Sequence, residues 1–158
     1  MKKSLKTGLG FGITSGIITT LGLMVGLNSG THSMLAVIGG VLTIAIADAF
    51  SDALGIHISK EFENESTNKE VWESTLVTFI SKFLMALFFV IPVAIFELSL
   101  AIKVSVVLGI VLLGIFSYII AKEKKQKPFP IIIEHIIIAT VVIAISQIVG
   151  SFIRTTCL

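Results

Sequence analysis

The chain has 158 residues, of which 54% are hydrophobic and 14% are charged, whereas an ordinary soluble domain has about 25% charged residues. This balance excludes a soluble globular protein and predicts that most of the chain lies in a lipid bilayer. The formal net charge of +2 is too small to indicate a nucleic-acid partner, and the single cysteine, Cys157, excludes an intramolecular disulfide and a cysteine-based metal site.

Five apolar segments follow one another along the chain, each close to the roughly 20 residues that a helix needs to cross a bilayer core. We predict spanning helices over residues 9–27, 34–58, 74–96, 101–121 and 131–153. A turn at 28–31 separates the first two helices, the polar stretch 60–73 separates the second and third, and Pro128 and Pro130 open the fifth. The pattern predicts an all-α polytopic membrane protein with a single transmembrane domain.

The basic residues are distributed asymmetrically about these segments. If the helices alternate in direction, one side of the membrane receives the lysines at positions 2, 3, 6, 60, 69, 122, 124, 125 and 127. The other side receives only Lys103 and Arg154. Because Lys and Arg are enriched in cytoplasmic loops, we predict a cytoplasmic N-terminus and a C-terminus on the outside.

Glycines recur at four-residue spacing on or beside the first span. The two sets are Gly8, Gly12, Gly16 and Gly22, Gly26, Gly30. Small residues at this interval let two helix backbones approach closely in lipid, so the first helix is predicted to pack tightly. Its partner is either a helix of the same chain or the first helix of a second copy, and the spacing favours neither.

Two aspartates, Asp48 and Asp52, lie within the otherwise apolar second span and share one helix face. A carboxylate in hydrocarbon is costly, so such residues usually face a pathway, a ligand or a partner charge. Carboxylate oxygens suit hard divalent cations and also accept protons. Lys82 of the third span comes to a similar depth and is a possible ion-pair partner, but one lysine cannot neutralise both carboxylates.

Other polar residues are candidates for supporting roles. Ser15 and Thr19 share a face of the first span, and with Ser51 they are predicted to line the path or to support the aspartates. Such hydroxyls more often bond to helix backbone, which is the alternative. His57 and Glu134 are candidates for a proton relay, since histidine changes charge near neutral pH; an interfacial position is the alternative.

The predicted cytoplasmic connection at 60–73 is rich in glutamate. These carboxylates could collect divalent cations at the mouth of a pathway, although a solvated linker is the more usual role of such a stretch. The candidates for cation capture are Glu61, Glu65, Glu70 and Glu73.

Two stretches carry a resemblance to a known family. The first-helix run GITSGIITTL from Gly12 to Leu21, followed by Gly26, and the second-helix run IADAFSDALGIHIS from Ile46 to Ser59 resemble those of the vacuolar iron transporter family. The resemblance implies a homodimer with five spans per chain that moves cytosolic Fe²⁺ or Mn²⁺ outward or into a vacuole, against protons, along a pathway near the dimer interface.

The chain departs from the family pattern at three places. The family has an aspartate where this chain has Ser15, and a methionine where it has Asp52. Replacing a soft sulfur ligand by oxygen favours harder ions, so Mn²⁺ or Mg²⁺ would be preferred over Fe²⁺. The family's long glutamate-rich cytoplasmic domain is reduced to the stretch around residues 61–73.

These observations together predict a transporter of divalent metal cations, Fe²⁺ or Mn²⁺, that exports them from the cytosol in exchange for protons. We expect it in a cell membrane or a vacuolar-type membrane, as a homodimer, with the metal as substrate and no tightly bound cofactor. The alternative is a membrane scaffold with structural Asp–Lys pairs. An enzyme is not expected, because two carboxylates one turn apart on one helix cannot face each other across a shared water.

Overall fold

The structure, a computed structural model, describes residues 2–63 and 66–157, and every regular element in this part of the chain is a helix. The helices are α1 (Lys3–Thr31), α2 (Met34–Glu61), α3 (Asn68–Phe88), α4 (Val90–Ile95), α5 (Leu98–Glu123) and α6 (Pro128–Cys157). Five segments are long and apolar enough to cross a membrane, with α3 and α4 together forming the third. The predicted all-α membrane fold is therefore confirmed.

The predicted turn at residues 28–31 is wrong, because α1 continues through it to Thr31. The His32 amide donates to the Asn28 carbonyl at 3.0 Å, and the Thr31 hydroxyl donates to Leu27 O at 2.7 Å. These bonds satisfy the last turn of the helix, so the chain reverses only at His32 and Ser33. Ser33 then caps α2, its hydroxyl accepting from the Ala36 amide at 3.3 Å.

The third span is interrupted, whereas the sequence predicted one helix over 74–96. Pro92 has no N–H to donate to Phe88, and its ring clashes with the carbonyl of that residue in a regular helix. The helix therefore ends at Phe88, and the Phe89 amide bonds instead to Ala86 O at 3.2 Å. Because Phe89 and Pro92 are buried, the interruption lies inside the bundle.

Helix α1 occupies the centre of the bundle and packs against α2, α3, α5 and α6. Its central residues Ile17, Leu21 and Met24 are fully buried and form the middle of the apolar core. The outward faces of α2, α5 and α6 expose large apolar side chains instead. A bundle with this arrangement suits lipid as its surrounding solvent.

The two glycine sets of α1 contact two different helices of the same chain. A Cβ on Gly8 or on Gly12 would lie 2.7 Å from a backbone carbonyl oxygen of α3. A Cβ on Gly26 or on Gly30 would lie 3.3 Å from a carbonyl oxygen of α6. The glycines thus allow close packing within the chain, and the predicted homodimer would need another surface.

Ion pairs join the helices at the end of the bundle that holds the N-terminus. Lys2 Nζ lies 2.8 Å from Glu73 of α3, and Lys6 Nζ lies 2.6 Å from Glu123 of α5. The connection predicted over 60–73 is shorter than expected, since α2 reaches Glu61 and α3 begins at Asn68. A capping box at Thr67 accounts for the early start of α3.

Replacing Gly150 of α6 by alanine is expected to lower the free energy of unfolding by about 1–3 kcal/mol, because the added methyl group overlaps the Gly26 carbonyl and approaches the Gly30 nitrogen. The matched control is Gly114→Ala in α5, where nothing lies within 4 Å of the added carbon. Thermal unfolding in detergent micelles, followed by circular dichroism, measures both variants. Equal unfolding midpoints would contradict this packing of α1 against α6.

Candidate functional site

A polar cluster lies inside the bundle where α1, α2 and α3 meet. It consists of Ser15 from α1, Asp48 and Asp52 from α2, and Lys82 from α3. The small size of Gly16 explains how α3 comes so near to α1, because a Cβ on this glycine would lie 3.3 Å from Lys82 O. The glycine spacing of α1 therefore positions the lysine between the two helices.

Lys82 bridges the two aspartates. Its Nζ lies 2.6 Å from Asp48 Oδ2, contacts Asp52 Oδ2, and donates to Ser15 Oγ at 3.0 Å. The Ser15 hydroxyl in turn donates to Asp52 Oδ2 at 2.6 Å. The ammonium thus donates to Ser15 and Asp52 and forms an ion pair with Asp48, so three oxygens surround it. The sequence left open which aspartate Lys82 would pair with, and the structure pairs it with both.

The cluster has a buried side and an open side. The Lys82 side chain is only 2% exposed, whereas those of Asp48 and Asp52 are 30% and 21% exposed. The contacts to Lys82 and Ser15 all use Oδ2, so within the described chain the Oδ1 atoms have no hydrogen-bond partner. Two carboxylates and one ammonium leave a net charge of −1. A cation approaching from the open side would meet two free carboxylate oxygens.

The donor set limits which metal complexes can form. No group of three or more His, Cys, Asp or Glu side chains within residues 2–63 and 66–157 is placed to hold a metal ion. Two carboxylates are enough for Mg²⁺, which usually keeps several waters and binds through one or two carboxylates, and Mn²⁺ has similar preferences. The residues therefore fit a partly hydrated cation in transit better than a resident metal.

A groove leads away from the cluster toward the opposite end of the bundle. It has a volume of about 580 Å³, lies between α1, α2 and α6, and extends from Asp48 past Thr19 and Ser146 to Ile153. Gly22 and Gly26 of α1 also line it. Thr19 therefore lies in the groove, where it was predicted to line a path, although its hydroxyl donates to the backbone oxygen of Ser15 at 2.9 Å.

Ser51 and Glu134 do not join this cluster. Ser51 is exposed on α2 and makes no hydrogen bond to the cluster. Glu134 is exposed on α6, a helix that packs against α1 and α5.

His57 lies near the N-terminal end of the bundle. Its Nδ1 is 3.0 Å from Thr75 Oγ1, its Nε2 is 3.4 Å from Glu61, and its ring meets Trp72 edge-on. His57 and Glu134 are thus on separate parts of the bundle, and the described contacts do not link them into one relay.

The glutamates proposed for cation capture have separate local partners. Glu70 belongs to the capping box at Thr67, and Glu73 accepts from Lys2 and from Ser4. Glu65 lies outside the described residues. A common metal site is not formed by Glu61, Glu70 and Glu73, the members of the predicted set that the structure describes.

The neighbouring Glu63 has a similar local role. Lys60 donates to both of its carboxylate oxygens, at 2.8 and 2.7 Å, and this hydrogen bonding lowers the pKa of Glu63. The acidic connection thus forms ion pairs and caps that fix the ends of α2 and α3.

Ser146 and α6 are the parts of this region that the sequence did not indicate. Ser146 is one of several hydroxyl residues in an otherwise apolar helix, and such hydroxyls commonly bond to helix backbone or to a neighbouring helix. The signal that pointed to it is the second glycine set, since Gly22 and Gly26 both face Ser146. The glycine spacing predicted that another helix packs closely against α1, but it could not identify that helix as α6.

The fold and the cluster define an α-helical membrane protein with five spans and a carboxylate–lysine cluster between three of them. No protein-family model, curated protein or solved structure matches the chain. The resemblance to vacuolar iron transporters therefore stays a prediction from the sequence.

Replacing Lys82 by methionine is expected to lower the free energy of unfolding by about 3 kcal/mol, because two carboxylates would remain in the bundle without their buried partner. Asp48→Asn should cost less, since Lys82 keeps Asp52. The matched control is Lys2→Met, which removes a lysine that is 60% exposed and should cost at most about 1 kcal/mol. Thermal unfolding in micelles compares the three. If Lys82→Met were as mild as Lys2→Met, the buried pairing would be wrong.

Proposed function

We propose that the protein transports divalent metal cations, with Asp48 and Asp52 as the carboxylates that bind the ion during passage. The observation that carries this proposal is the pair of partly exposed carboxylates, each with a free Oδ1, of which Asp48 lines the groove between α1, α2 and α6. Charged residues inside a membrane usually mark an ion pathway or a proton relay. Thr19 and Ser146 would offer hydroxyl oxygens further along the groove.

Charge balance supports coupling to protons. A divalent cation would change the net charge of the cluster from −1 to +1, and a positive charge inside hydrocarbon is costly. Release of a proton as the metal enters would return the cluster to neutrality. Exchange of the metal for protons is therefore part of the proposal. The transported ion would be Mn²⁺ or Fe²⁺, with the all-oxygen donor set favouring Mn²⁺.

Export from the cytosol and assembly as a homodimer also belong to the proposal. The direction rests on the family resemblance, and the orientation rests on the lysines near the N-terminal end of the bundle. The six glycines of the two spaced sets on α1 pack against helices of the same chain, so a dimer would use a different face. Helix α2 offers one, because it exposes small residues at every fourth position: Gly39, Thr43, Ala47, Ser51, Gly55 and Ser59.

A second candidate function is a membrane scaffold in which the cluster only joins helices. The three oxygens around the Lys82 ammonium favour it, since they neutralise and hold the buried lysine without a ligand. In that case the double variant Asp52→Asn, Lys82→Met should regain most of the stability lost in Lys82→Met, and no metal should bind.

The proposal is tested by measuring Mn²⁺ uptake into proteoliposomes under a pH gradient with a metal-sensitive dye inside. Asp48→Asn and Asp52→Asn should each reduce uptake at least about tenfold, because changes near a metal ligand alone cost that much. The matched control is Glu123→Gln, which neutralises a carboxylate on the N-terminal end of the bundle. Circular dichroism verifies that each variant is folded.

If both aspartate variants are folded and take up Mn²⁺ as fast as wild type, the two carboxylates do not bind the ion during passage. Folded wild-type protein that moves neither Mn²⁺ nor Fe²⁺ and binds neither would contradict transport and support the scaffold. Mn²⁺ uptake with no change in the pH of the liposome lumen would contradict the coupling to protons but not the transport of the metal.

A further inference from the structure

A second cavity lies at the distal end of the bundle, which we define as the end where α1 stops and α2 begins. Its volume is about 590 Å³, and it lies between α1, α5 and α6. It does not include Asp48, Asp52 or Lys82. Whatever binds there is therefore separate from the proposed transport site.

The walls of this cavity change character with depth. Val25, Val106 and Ile143 provide apolar surface toward the middle of the bundle, whereas His32, Ser99 and Lys103 lie near the end. No carboxylate is among the described residues that line it. A molecule that fits would have an apolar part directed into the membrane and an acceptor-rich, negative part at the surface.

Positive charge at this end is concentrated beside the cavity. Among the Lys and Arg residues of the described chain, only Lys103 and Arg154 lie at the distal end. Lys82 lies in the middle of the bundle, and all the others lie toward the N-terminal end. Lys103 lines the cavity, and Arg154 lines an adjoining one of about 380 Å³ that also includes His32. Neither cation forms an ion pair within residues 2–63 and 66–157.

His32 joins the two cavities and has an unfavourable backbone conformation. Its φ of 51° lies in the left-handed region at the C-cap of α1, where glycine avoids the steric cost that a Cβ carries. Arg154 Nη1 lies 3.0 Å from His32 Nε2, and because the guanidinium can only donate, Nε2 must accept. The ring proton then resides on Nδ1, which leaves one N–H donor on the imidazole.

The cavity is also held in shape by bonds between its walls. The Ser29 hydroxyl of α1 donates to Gln147 O of α6 at 3.1 Å and lies 2.7 Å from Ser151 Oγ. Ser29 and Gln147 both line the cavity. Two of the three helices that line the polar end are therefore bonded to each other.

We propose that this cavity binds the phosphate group of an anionic phospholipid, with Lys103, Arg154 and His32 at the headgroup and the acyl chain against Val106 and Ile143. Basic pockets between transmembrane helices are suited to lipid phosphates, and apolar walls below them suit acyl chains. A free phosphate shares the headgroup chemistry but has no use for the apolar walls, so the lipid is the better match. The site also accounts for the strained histidine, whose side chain a glycine could not replace.

Native mass spectrometry tests the proposal with the full chain released from micelles that contain equal amounts of phosphatidylglycerol and phosphatidylcholine. Wild type should retain phosphatidylglycerol preferentially. Lys103→Met and Arg154→Met should each lower that preference about fivefold, the effect expected for one basic residue near an anionic bilayer. The matched control is Lys127→Met at the N-terminal end, which should leave the preference unchanged.

His32→Gly gives an independent readout. The substitution relieves the left-handed strain, so the unfolding midpoint in lipid-free micelles should rise. The same variant should retain less phosphatidylglycerol, because the imidazole donor is gone. A merely structural role for His32 would not separate these two effects in opposite directions.

Three results would overturn the assignment. The first is equal retention of the two lipids by wild type, and the second is an unchanged preference in both Lys103→Met and Arg154→Met. The third is displacement of phosphatidylglycerol by inorganic phosphate together with phosphate adducts on lipid-free protein, which would assign the cavity to a soluble anion instead. None of these results bears on Mn²⁺ uptake.

Discussion

The close approach of α1 to its neighbours is the constraint on which the rest of the structure depends. In lipid there is little hydrophobic drive between helices, so packing relies on van der Waals contact and on polar bonds between helices. Glycines on two faces of α1 bring the backbones of α3 and α6 into direct contact with it. Each approach creates a polar feature beside it, the Lys82 cluster next to α3 and the groove with Ser146 next to α6.

The electrostatics of the cluster follow from this packing. A lysine that is 2% exposed is tolerated only because oxygens surround it, and two carboxylates on one helix are tolerated only because the lysine lies between them. Under either candidate function the cluster joins α1, α2 and α3. What would distinguish a transporter is the use of the carboxylate oxygens that face away from the lysine. Stability and ion binding thus draw on different atoms of the same aspartates.

The sequence predicted the spans well because hydropathy reports directly on the need to bury apolar segments in lipid. It predicted that Asp48 and Asp52 share one face of α2, because residues four apart on a helix are always neighbours on its surface. It failed at residues 28–31, where polar residues and a glycine suggested a turn, but bonds to Leu27 and to α6 keep the helix intact. It also missed the interruption at Phe89, although Pro92 was the available signal. It named Ser15 and Lys82 as candidates beside the aspartates, but local spacing could not show which atoms bond, such as the Ser15 hydroxyl with Asp52.

The two-residue link between α1 and α2 limits how the aspartates can move. His32 and Ser33 can together span only about 7 Å even when extended, and the flanking bonds already fix their geometry. Helix α2 therefore cannot slide along α1 by a helical turn of about 5.4 Å without breaking these bonds. Any rearrangement that presents Asp48 and Asp52 to opposite membrane faces is then limited to a rotation or tilt of α2 that pivots at this link.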